Sequence, residues 1–226
     1  VIGTNQNIIG DKVLLTQSTT PTTPNALELQ QLFAEMAQSE AEYVVMEVSS
    51  HALELDRVHG CHFDVGVFTN LTQDHLDFHG TMENYLNAKA KLFNLCDNGV
   101  VNFDDDGGKK IAAKAPCDIL KVGMGGGCDL TAENVNISAR GTDFDIIYKG
   151  EKYPIHIQIP GKFSVYNSLT AISICRHFDV SEEDTIKALR DIKVKGRIEL
   201  IKVSDDFTLM IDYAHNAMAL ESLLTT

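Results

Sequence analysis

The sequence lacks tryptophan, contains only five prolines among 226 residues, and has no long hydrophobic run. An apolar stretch of roughly 18 residues, which a membrane-spanning helix needs, occurs nowhere. The start of the chain also lacks a basic segment followed by an apolar one, so no signal peptide is predicted. The five cysteines are odd in number and form no Cys-x-x-Cys pair, which excludes an obvious disulfide framework or zinc ribbon. We therefore expect free thiols in a reducing cytoplasm.

Positive charge is also scarce, because 19 Lys and Arg residues face 32 Asp and Glu residues, for a net charge of -13. This balance argues against non-specific nucleic-acid binding, which needs a basic surface. Phosphate-bearing ligands stay possible, because a few local cations and a metal ion can hold them. The hydrophobic fraction of 44% is ordinary for a soluble globular protein, and the length fits one large domain or two small ones.

Strand and helix signals alternate in the part of the chain that precedes the glycine cluster at 123–127. Helices are predicted at 26–37, 82–95 and 107–114, and apolar strands at 43–48, 65–68, 99–103 and 117–122. The opening residues 1–4 read as the end of one more buried strand. This alternation predicts an α/β fold with a mostly parallel sheet and helices on both faces.

The pattern changes after the glycine cluster. Three β-like stretches at 131–138, 143–148 and 152–159 are joined by short turns that contain glycine, which predicts a small antiparallel subsheet. Helices follow at 164–177 and 181–191, and Ser181 before three acidic residues is a typical N-cap. A hairpin of strands is predicted at 197–203 and 207–212, and a last helix begins near Asn216.

Two polar clusters follow consecutive predicted strands. The first runs from Glu47 to His51, and the second, from Thr69 to His79, holds two histidines, two aspartates and two threonines. Ligands of open α/β sheets bind at the carboxyl ends of strands, although the first cluster alone would also fit a simple polar strand cap. A loop as polar as the second is costly to order unless it binds something. Together the clusters indicate a metal or phosphate site.

A series of short motifs carries a resemblance to a known family. In order they are Thr22-Thr23-Pro24-x-Ala26-x-x-Leu29-Gln30, Glu47-Val48-Ser49-Ser50-His51, Thr69-Asn70-Leu71-x-x-Asp74-His75-Leu76-Asp77-x-His79-Gly80, Tyr85-x-x-Ala88-Lys89, Asn102-x-Asp104-Asp105, Gly161-x-Phe163-x-x-Tyr166-Asn167, Gly196-Arg197-x-Glu199 and Asp212-Tyr213-Ala214-His215. Each motif is weak by itself, but their order along essentially the whole chain resembles the Mur ligase family. The resemblance is strongest to the members that add the third peptide residue to UDP-N-acetylmuramoyl-alanyl-glutamate during peptidoglycan synthesis.

The resemblance implies a reaction and a metal site. In the family, the γ-phosphate of ATP passes to a substrate carboxylate, and an incoming amine attacks the acyl phosphate. Glu47 and His75 are the implied ligands of Mg²⁺ ions. Lys89 is the implied third catalytic and metal-site residue, since its amine reacts with carbon dioxide to form a carbamate, an oxygen ligand that Mg²⁺ prefers. Lys91 is the competing lysine, but the Tyr-x-x-Ala-Lys register favours Lys89.

Substrate-binding residues follow from the same resemblance. The UDP-sugar peptide is expected to contact Thr22, Thr23, Ser49 and Arg57. ATP is expected to contact Asn102 and Asn167 on the adenine side, Arg197 at a phosphate and Asp212 at the ribose. Arginine suits a phosphate or carboxylate because its guanidinium forms paired hydrogen bonds. His215 shares the last motif without an assigned role, and Leu55 and Ser164 depart from residues found in many relatives.

The glycine-rich loop of the family is missing, since no Gly-x-x-x-x-Gly-Lys-Ser/Thr string occurs in the 226 residues. We therefore expect residues 1–195 to form the central ATP-binding domain without its phosphate-loop unit. Residues 196–226 are expected to begin a truncated C-terminal domain. Without loop amides and a lysine around the phosphates, this polypeptide alone is expected not to turn over ATP.

Three other interpretations remain open. A ligase similar to folylpolyglutamate or cyanophycin synthetases would share the ATPase core, although the Thr-Thr-Pro and Glu-Val-Ser-Ser-His strings favour the cell-wall enzyme. A non-catalytic domain that binds only the nucleotide sugar is the second. A metal hydrolase built on His75, Asp77 and His79 is the third, and it lacks a His-Glu-x-x-His signature. Diaminopimelate and lysine both stay open as the added amino acid, as does the oligomeric state.

Overall fold

The computed structural model describes residues 1–14, 21–138, 141–194, 196, 198–201, 203–204, 207, 209–214, 220–221 and 224. The chain divides into two compact units, one of Val1–Asp64 with Gln73–Asp97 and one of Val65–Thr72 with Asn98–Thr226. The start of the helix predicted near Asn216 lies outside the described residues, as do Arg197 and His215. The domain boundary predicted between residues 195 and 196 stays a prediction. No helix in the described ranges is long and apolar enough to cross a membrane.

The first unit opens with a small hairpin and two capped helices. Strands β1 (Asn7–Ile9) and β2 (Lys12–Leu14) pair antiparallel. Helix α1 (Ala26–Gln38) confirms the predicted helix, and it begins where the Asn25 side chain accepts a hydrogen bond from the Glu28 amide. Its apolar spacing buries Leu29 and Met36. Helix α2 (Ser50–Glu54) is capped in the same way by Ser49.

The apolar strand predicted at 43–48 is present only as a single bridge. Met46 pairs parallel with Ile2, and the described part of the chain shows no other pairing for this segment. Tyr43, Val44 and Val45 are 62%, 42% and 64% exposed. A continuous apolar run is typical of a strand that is covered on both faces and paired on both edges. Here Ile2 supplies one edge, and Ile2 itself is fully buried, as expected for the end of a buried strand.

The second polar cluster leads into two further helices. A short helix, α3 (Leu76–His79), lies within the cluster and starts after His75, whose backbone is left-handed with φ of 52°. Helix α4 (Met82–Ala90) is capped by Thr81 and continues as a 3₁₀ turn over Lys91–Asn94. The single helix predicted at 82–95 therefore tightens in its last turn, where Leu95 N donates to Leu92 O.

A six-stranded sheet forms the framework of the second unit. In spatial order its strands are β3 (Phe63–Phe68), β4 (Cys96–Asn102), β5 (Asp118–Gly123), β6 (Leu130–Ser138), β7 (Gly141–Tyr148) and β8 (Glu151–Ile157). Strand β5 pairs parallel with both β4 and β6, whereas β7 pairs antiparallel with both β6 and β8. The predicted α/β fold class is confirmed, and the antiparallel strands extend the parallel sheet.

Helices pack on this sheet around one core. Helix α5 (Asp106–Ala112) lies between β4 and β5 in the chain, followed later by α6 (Lys162–His177) and α7 (Glu182–Asp191). Ser181 caps α7 as predicted, accepting from Asp184 N at 3.1 Å. The core joins sheet and helix residues, among them Val122, Leu130, Ile146, Ile157, Val165, Leu169 and Ile172. The predicted hairpin is present as β9 (Glu199–Ile201) and β10 (Leu209–Ile211).

Candidate active site

The carboxylate of Glu47 is held by the opening segment of the chain. Thr4 Oγ1 donates to Glu47 Oε2 at 2.6 Å, and Thr4 N donates to Oε1 at 3.3 Å. The hydroxyl of Thr22 lies 3.1 Å from that of Thr4. Gly3 leaves room for the carboxylate, because a Cβ at this position would stand 2.8 Å from Glu47 Oε1. The sequence had indicated only a strand end at Gly3 and Thr4, without a role in the site.

Thr23 forms hydrogen bonds with other predicted site residues of this unit. Its buried hydroxyl donates to Glu47 O at 2.9 Å and accepts from Ser49 N at 2.9 Å. Its own carbonyl accepts from Arg57 Nη1 at 3.1 Å. These bonds tie the segment after Thr22 to the residues that follow Met46 and to the start of α2. The structure thus brings Thr22, Thr23, Glu47, Ser49 and Arg57 together.

A second group of side chains surrounds the ring of Tyr85. The centroid of His75 lies 5.9 Å from that of Tyr85, and Lys89 Nζ stands 5.1 Å from the same ring centroid. His75 also packs edge-on against His51 at 4.9 Å and lies 3.6 Å from Asp74 Oδ1 through its Nδ1. His75 and Lys89 therefore border one aromatic ring. Glu47 lies four residues before His51, in the same compact unit.

His79 links this ring to the start of α2. Its Nε2 lies 2.9 Å from Ser50 Oγ, and its ring stacks on Tyr85 at 4.9 Å. Burial lowers the pKa of His79, and burial followed by the nearby His75 lowers the pKa of His51. Burial also raises the pKa of the Tyr85 phenol. The sequence suggested His79 only as a candidate residue of a metal hydrolase, and it did not predict the stacking of His79 on Tyr85.

The two candidate lysines have different surroundings. Lys91 Nζ forms an ion pair with Glu54 Oε2 at 2.8 Å, and this hydrogen bond lowers the pKa of the Glu54 carboxyl. Lys89 Nζ instead stands over the ring of Tyr85, whose centroid lies 5.9 Å from that of His75. These contacts distinguish the two lysines, and the choice of Lys89 as the site lysine stays a prediction.

The oxygen donors around Glu47 fit the magnesium ion that the resemblance implies. No three His, Cys, Asp or Glu side chains in the described ranges lie close enough together to hold a metal ion by themselves. Mg²⁺ keeps several waters and binds through one or two carboxylates and substrate phosphates. Each oxygen of Glu47 accepts one bond from Thr4, so each has a further lone pair for a cation. By the resemblance, Glu47, His75 and Lys89 would hold such an ion, and this ligand set stays a prediction.

The predicted ATP contacts that the structure describes lie in the second unit. Asn102 is buried, and its Oδ1 accepts from Asp104 N at 3.1 Å. Asn167 is exposed on α6. Asp212 accepts from the backbone amides of Ile198 at 2.9 Å and Ala214 at 2.7 Å, so it also organises its own hairpin.

Asp104 is a central residue of the second unit that was noted only as part of a motif. It accepts from Met124 N at 2.6 Å, from Gly125 N at 3.0 Å and from the Tyr166 hydroxyl at 3.0 Å. Burial, and then this bond to Asp104, raise the pKa of the Tyr166 phenol far above its ordinary value. The carboxylate therefore fastens the glycine-rich segment after β5 to α6.

This fold and the residues of these two clusters match a known protein family. The model described as the Mur ligase middle domain matches residues 1–175, and the chain belongs to the Mur ligase family. The UDP-N-acetylmuramoyl-L-alanyl-D-glutamate--2,6-diaminopimelate ligase of Clostridium botulinum is 44% identical over 229 residues, covering all of this chain and 47% of the relative. The corresponding ligase of Bacillus cereus is 39% identical, over 100% and 48% of the two chains. The chain spans about half the length of these curated relatives.

Solved structures show the same relationship. A UDP-N-acetylmuramoyl-L-alanyl-D-glutamate--2,6-diaminopimelate ligase superposes with a TM-score of 0.80 and 28% identity, over 95% of this chain and 45% of the other. MurF from Acinetobacter baumannii superposes with a TM-score of 0.65 and 21% identity, over 72% and 36%. A mutant form of L. casei FPGS reaches a TM-score of 0.58 at 16% identity, over 88% and 56%. The last two similarities concern the fold alone.

Proposed function

We propose that the protein containing this chain is an ATP-dependent ligase that adds diaminopimelate to UDP-N-acetylmuramoyl-L-Ala-D-Glu in the cytoplasm. The γ-phosphate of ATP moves to the substrate carboxylate, a new phosphorus–oxygen bond forms, and ADP leaves. The amine of the amino acid then bonds to the carbonyl carbon, while inorganic phosphate leaves and the amine loses a proton. The identity of 44% with a diaminopimelate ligase supports this amino acid over lysine.

The observation that carries the proposal is the bonded network around Thr23. One buried hydroxyl connects Glu47 and Ser49, and the adjacent carbonyl orients the Arg57 guanidinium. A substrate that has phosphates at one end and a carboxylate at the other needs a cation and a metal ligand at a fixed separation. The network provides both, because it fixes the backbone that carries Glu47 and one arm of Arg57. Ser49 and Thr22 add hydroxyls beside them.

Lys89 is proposed to serve the reaction as a carbamate. The protonated amine has no lone pair, so it must lose a proton before its nitrogen bonds to the carbon of carbon dioxide. A magnesium ion held by Glu47, His75 and Lys89 would neutralise the charge of the transferring phosphoryl group. Positioning and charge neutralisation together account for catalysis of this kind.

The test uses the full-length gene product that contains these 226 residues. ADP release is measured with ATP, UDP-N-acetylmuramoyl-L-Ala-D-Glu and either diaminopimelate or lysine, and folate with glutamate serves as the competing substrate pair. We expect release that requires the UDP substrate and diaminopimelate. Turnover with folate and glutamate alone would instead support the folylpolyglutamate-like interpretation, and it would refute the proposal.

Two lysine variants test the site assignment. Lys89→Ala is expected to lower turnover by roughly 100-fold or more, the scale of losing an electrostatic contribution to transition-state stabilisation. Lys91→Ala is the matched control, because it removes an exposed ion pair with Glu54 and is expected to change turnover less than about threefold. Equal losses in both variants would contradict the assignment of Lys89.

The non-catalytic interpretation applies to the 226-residue polypeptide by itself, since it lacks a Gly-Lys-Ser/Thr loop. Calorimetry of this polypeptide with the UDP substrate and with ATP separates binding from catalysis. We expect no ATP turnover by the isolated polypeptide. Magnesium-dependent ATP hydrolysis at the full-length rate would contradict that expectation.

A further inference from the structure

We propose that Thr4 is a positioning residue that orients the Glu47 carboxylate toward Mg²⁺ and couples it to the substrate-binding hydroxyl of Thr22. This inference rests on the proposed function, which makes Glu47 a metal ligand and Thr22 a substrate contact. Thr4 belongs to the opening segment and is 43 residues from Glu47 in the chain.

The direction of the hydrogen bonds follows from the chemistry of the three groups. An ionised carboxylate only accepts hydrogen bonds, so Thr4 must donate its hydroxyl proton to Glu47 Oε2 at 2.6 Å. A hydroxyl has one proton, so Thr4 has none left for Thr22. The contact of 3.1 Å between the two hydroxyls therefore has Thr22 as donor and Thr4 as acceptor. The relay runs from Thr22 through Thr4 to Glu47.

This direction has a consequence for the ligand at each end. Thr22 has committed its proton to Thr4, so it offers lone pairs to the substrate and favours a hydroxyl or amide N–H over a phosphate oxygen. Glu47 keeps a lone pair on each oxygen for the cation, in an orientation fixed by both the hydroxyl and the amide of Thr4. A change at either end alters the polarisation of the Thr4 hydroxyl, and coupled hydrogen bonds strengthen each other.

Gly3 constrains the same carboxylate from another side. A Cβ at residue 3 would lie 2.8 Å from Glu47 Oε1, closer than carbon and oxygen approach each other without a bond. The contact is with the end of a flexible side chain, so Gly3→Ala displaces the carboxylate and leaves the fold intact. Gly3 also lies outside the left-handed region, so alanine fits the backbone there. This variant moves Glu47 while it keeps the Thr4 hydroxyl.

The experiment measures Mn²⁺ binding to the full-length gene product by electron paramagnetic resonance, with and without UDP-N-acetylmuramoyl-L-Ala-D-Glu. The variants are Thr4→Val, which removes the hydroxyl at nearly the same shape, Thr4→Ser, which keeps it, and Gly3→Ala. We expect Thr4→Val and Gly3→Ala to raise the Mn²⁺ dissociation constant about tenfold, or about 1.4 kcal/mol. Thr4→Ser is expected to stay within about twofold.

The coupling gives a second readout that a merely structural role would not change. In the unaltered protein the UDP substrate is expected to tighten Mn²⁺ binding, and by linkage Mn²⁺ tightens substrate binding by the same factor. In Thr4→Val this factor is expected to fall to about one. Thermal unfolding of each variant checks the fold, and if Thr4→Val unfolds, Thr4→Ala replaces it in both measurements.

The outcomes separate the two proposals. Normal Mn²⁺ affinity with intact coupling in Thr4→Val would overturn the role of Thr4 and leave the proposed function standing. Loss in Thr4→Val with no recovery in Thr4→Ser would also overturn it, because the hydroxyl would not be the cause. An unaltered protein that neither binds Mn²⁺ nor releases ADP would overturn the proposed function itself.

Discussion

The Asp104 junction allows a stability prediction worked from its hydrogen bonds. Three donors converge on this carboxylate, namely Met124 N, Gly125 N and the Tyr166 hydroxyl. The amide of Gly125 is exposed, so water replaces its bond. The other two donors are partly buried, and bonds to a charged group contribute about 1.5–3 kcal/mol each. We expect Asp104→Ala to lower the free energy of unfolding by about 3 kcal/mol.

Two milder variants separate the contributions of the individual hydrogen bonds to this loss of stability. Asp104→Asn keeps one oxygen for Met124 and Tyr166 but turns an amino group toward the Gly125 amide, so the expected loss is about 1–2 kcal/mol. Tyr166→Phe removes one of these two bonds and is expected to lose about 1.5 kcal/mol. The raised pKa of the Tyr166 phenol keeps it protonated, and therefore a donor, throughout the neutral range.

Urea unfolding followed by far-ultraviolet circular dichroism measures these losses, because the chain has no tryptophan for fluorescence. Hydrogen exchange at residues 121–127 locates them, since the freed amides should exchange faster in Asp104→Ala. Leu27→Ala is a control on an exposed side chain and should change stability by less than about 0.5 kcal/mol. The reasoning is refuted if Asp104→Ala unfolds at the parent urea concentration with unchanged exchange.

Three further predictions concern backbone contacts, pH and substrate binding. Gly108→Ala should destabilise the protein by more than about 2 kcal/mol in urea, because its Cβ would lie 1.9 Å from Asn102 O, whereas Gly126→Ala, with nothing within 4 Å, should be near neutral. The folded pKa of His79 is lowered, so the unfolded chain binds its proton more readily and stability should fall as pH drops below about 6.5. Melting temperatures at two pH values should show a smaller fall in His79→Gln, and an equal fall would exclude His79 as a cause. Arg57→Lys should weaken binding of the UDP substrate in calorimetry by about tenfold, because lysine lacks the planar fork that reaches Thr23 O.

Local patterns predicted the helices well, because their causes lie within a few residues. Apolar spacing placed α1 within one residue of its observed end, and Ser181 with its acidic followers marked the start of α7. The tightening of α4 into a 3₁₀ turn was not visible, because it depends on how Leu92 and Phe93 are buried in the folded unit.

The segment 43–48 shows where such patterns fail. Its apolar residues have the composition of a strand covered on both faces, but composition does not state which elements cover it. In the described residues only Ile2 pairs with it, and Val44 and Val45 stay exposed. A strand forms only when it pairs and packs with neighbours that are distant in sequence. The residue pattern of one segment therefore cannot predict whether those neighbours are present.

The candidate site was predictable as far as its residues stood in motifs. The resemblance named Thr22, Thr23 and Ser49 as substrate contacts and Glu47 as a metal ligand. The hydroxyl of Thr23 contacts both Glu47 and Ser49 in the first unit, while their roles stay predictions. Thr4 was not predictable in the same way. Its contact with Glu47 follows from the register of Ile2 beside Met46, which no single-segment pattern contains.

The left-handed backbone at His75 decides which replacement gives a clean measurement of its imidazole. Alanine or a β-branched residue there would combine loss of the ring with backbone strain at the entrance to α3, so reduced activity would have two causes. Asparagine tolerates this conformation and removes the ring alone. The backbone torsion at residue 75 therefore restricts which amino acids can replace His75 without added strain, whatever the chemistry of their side chains.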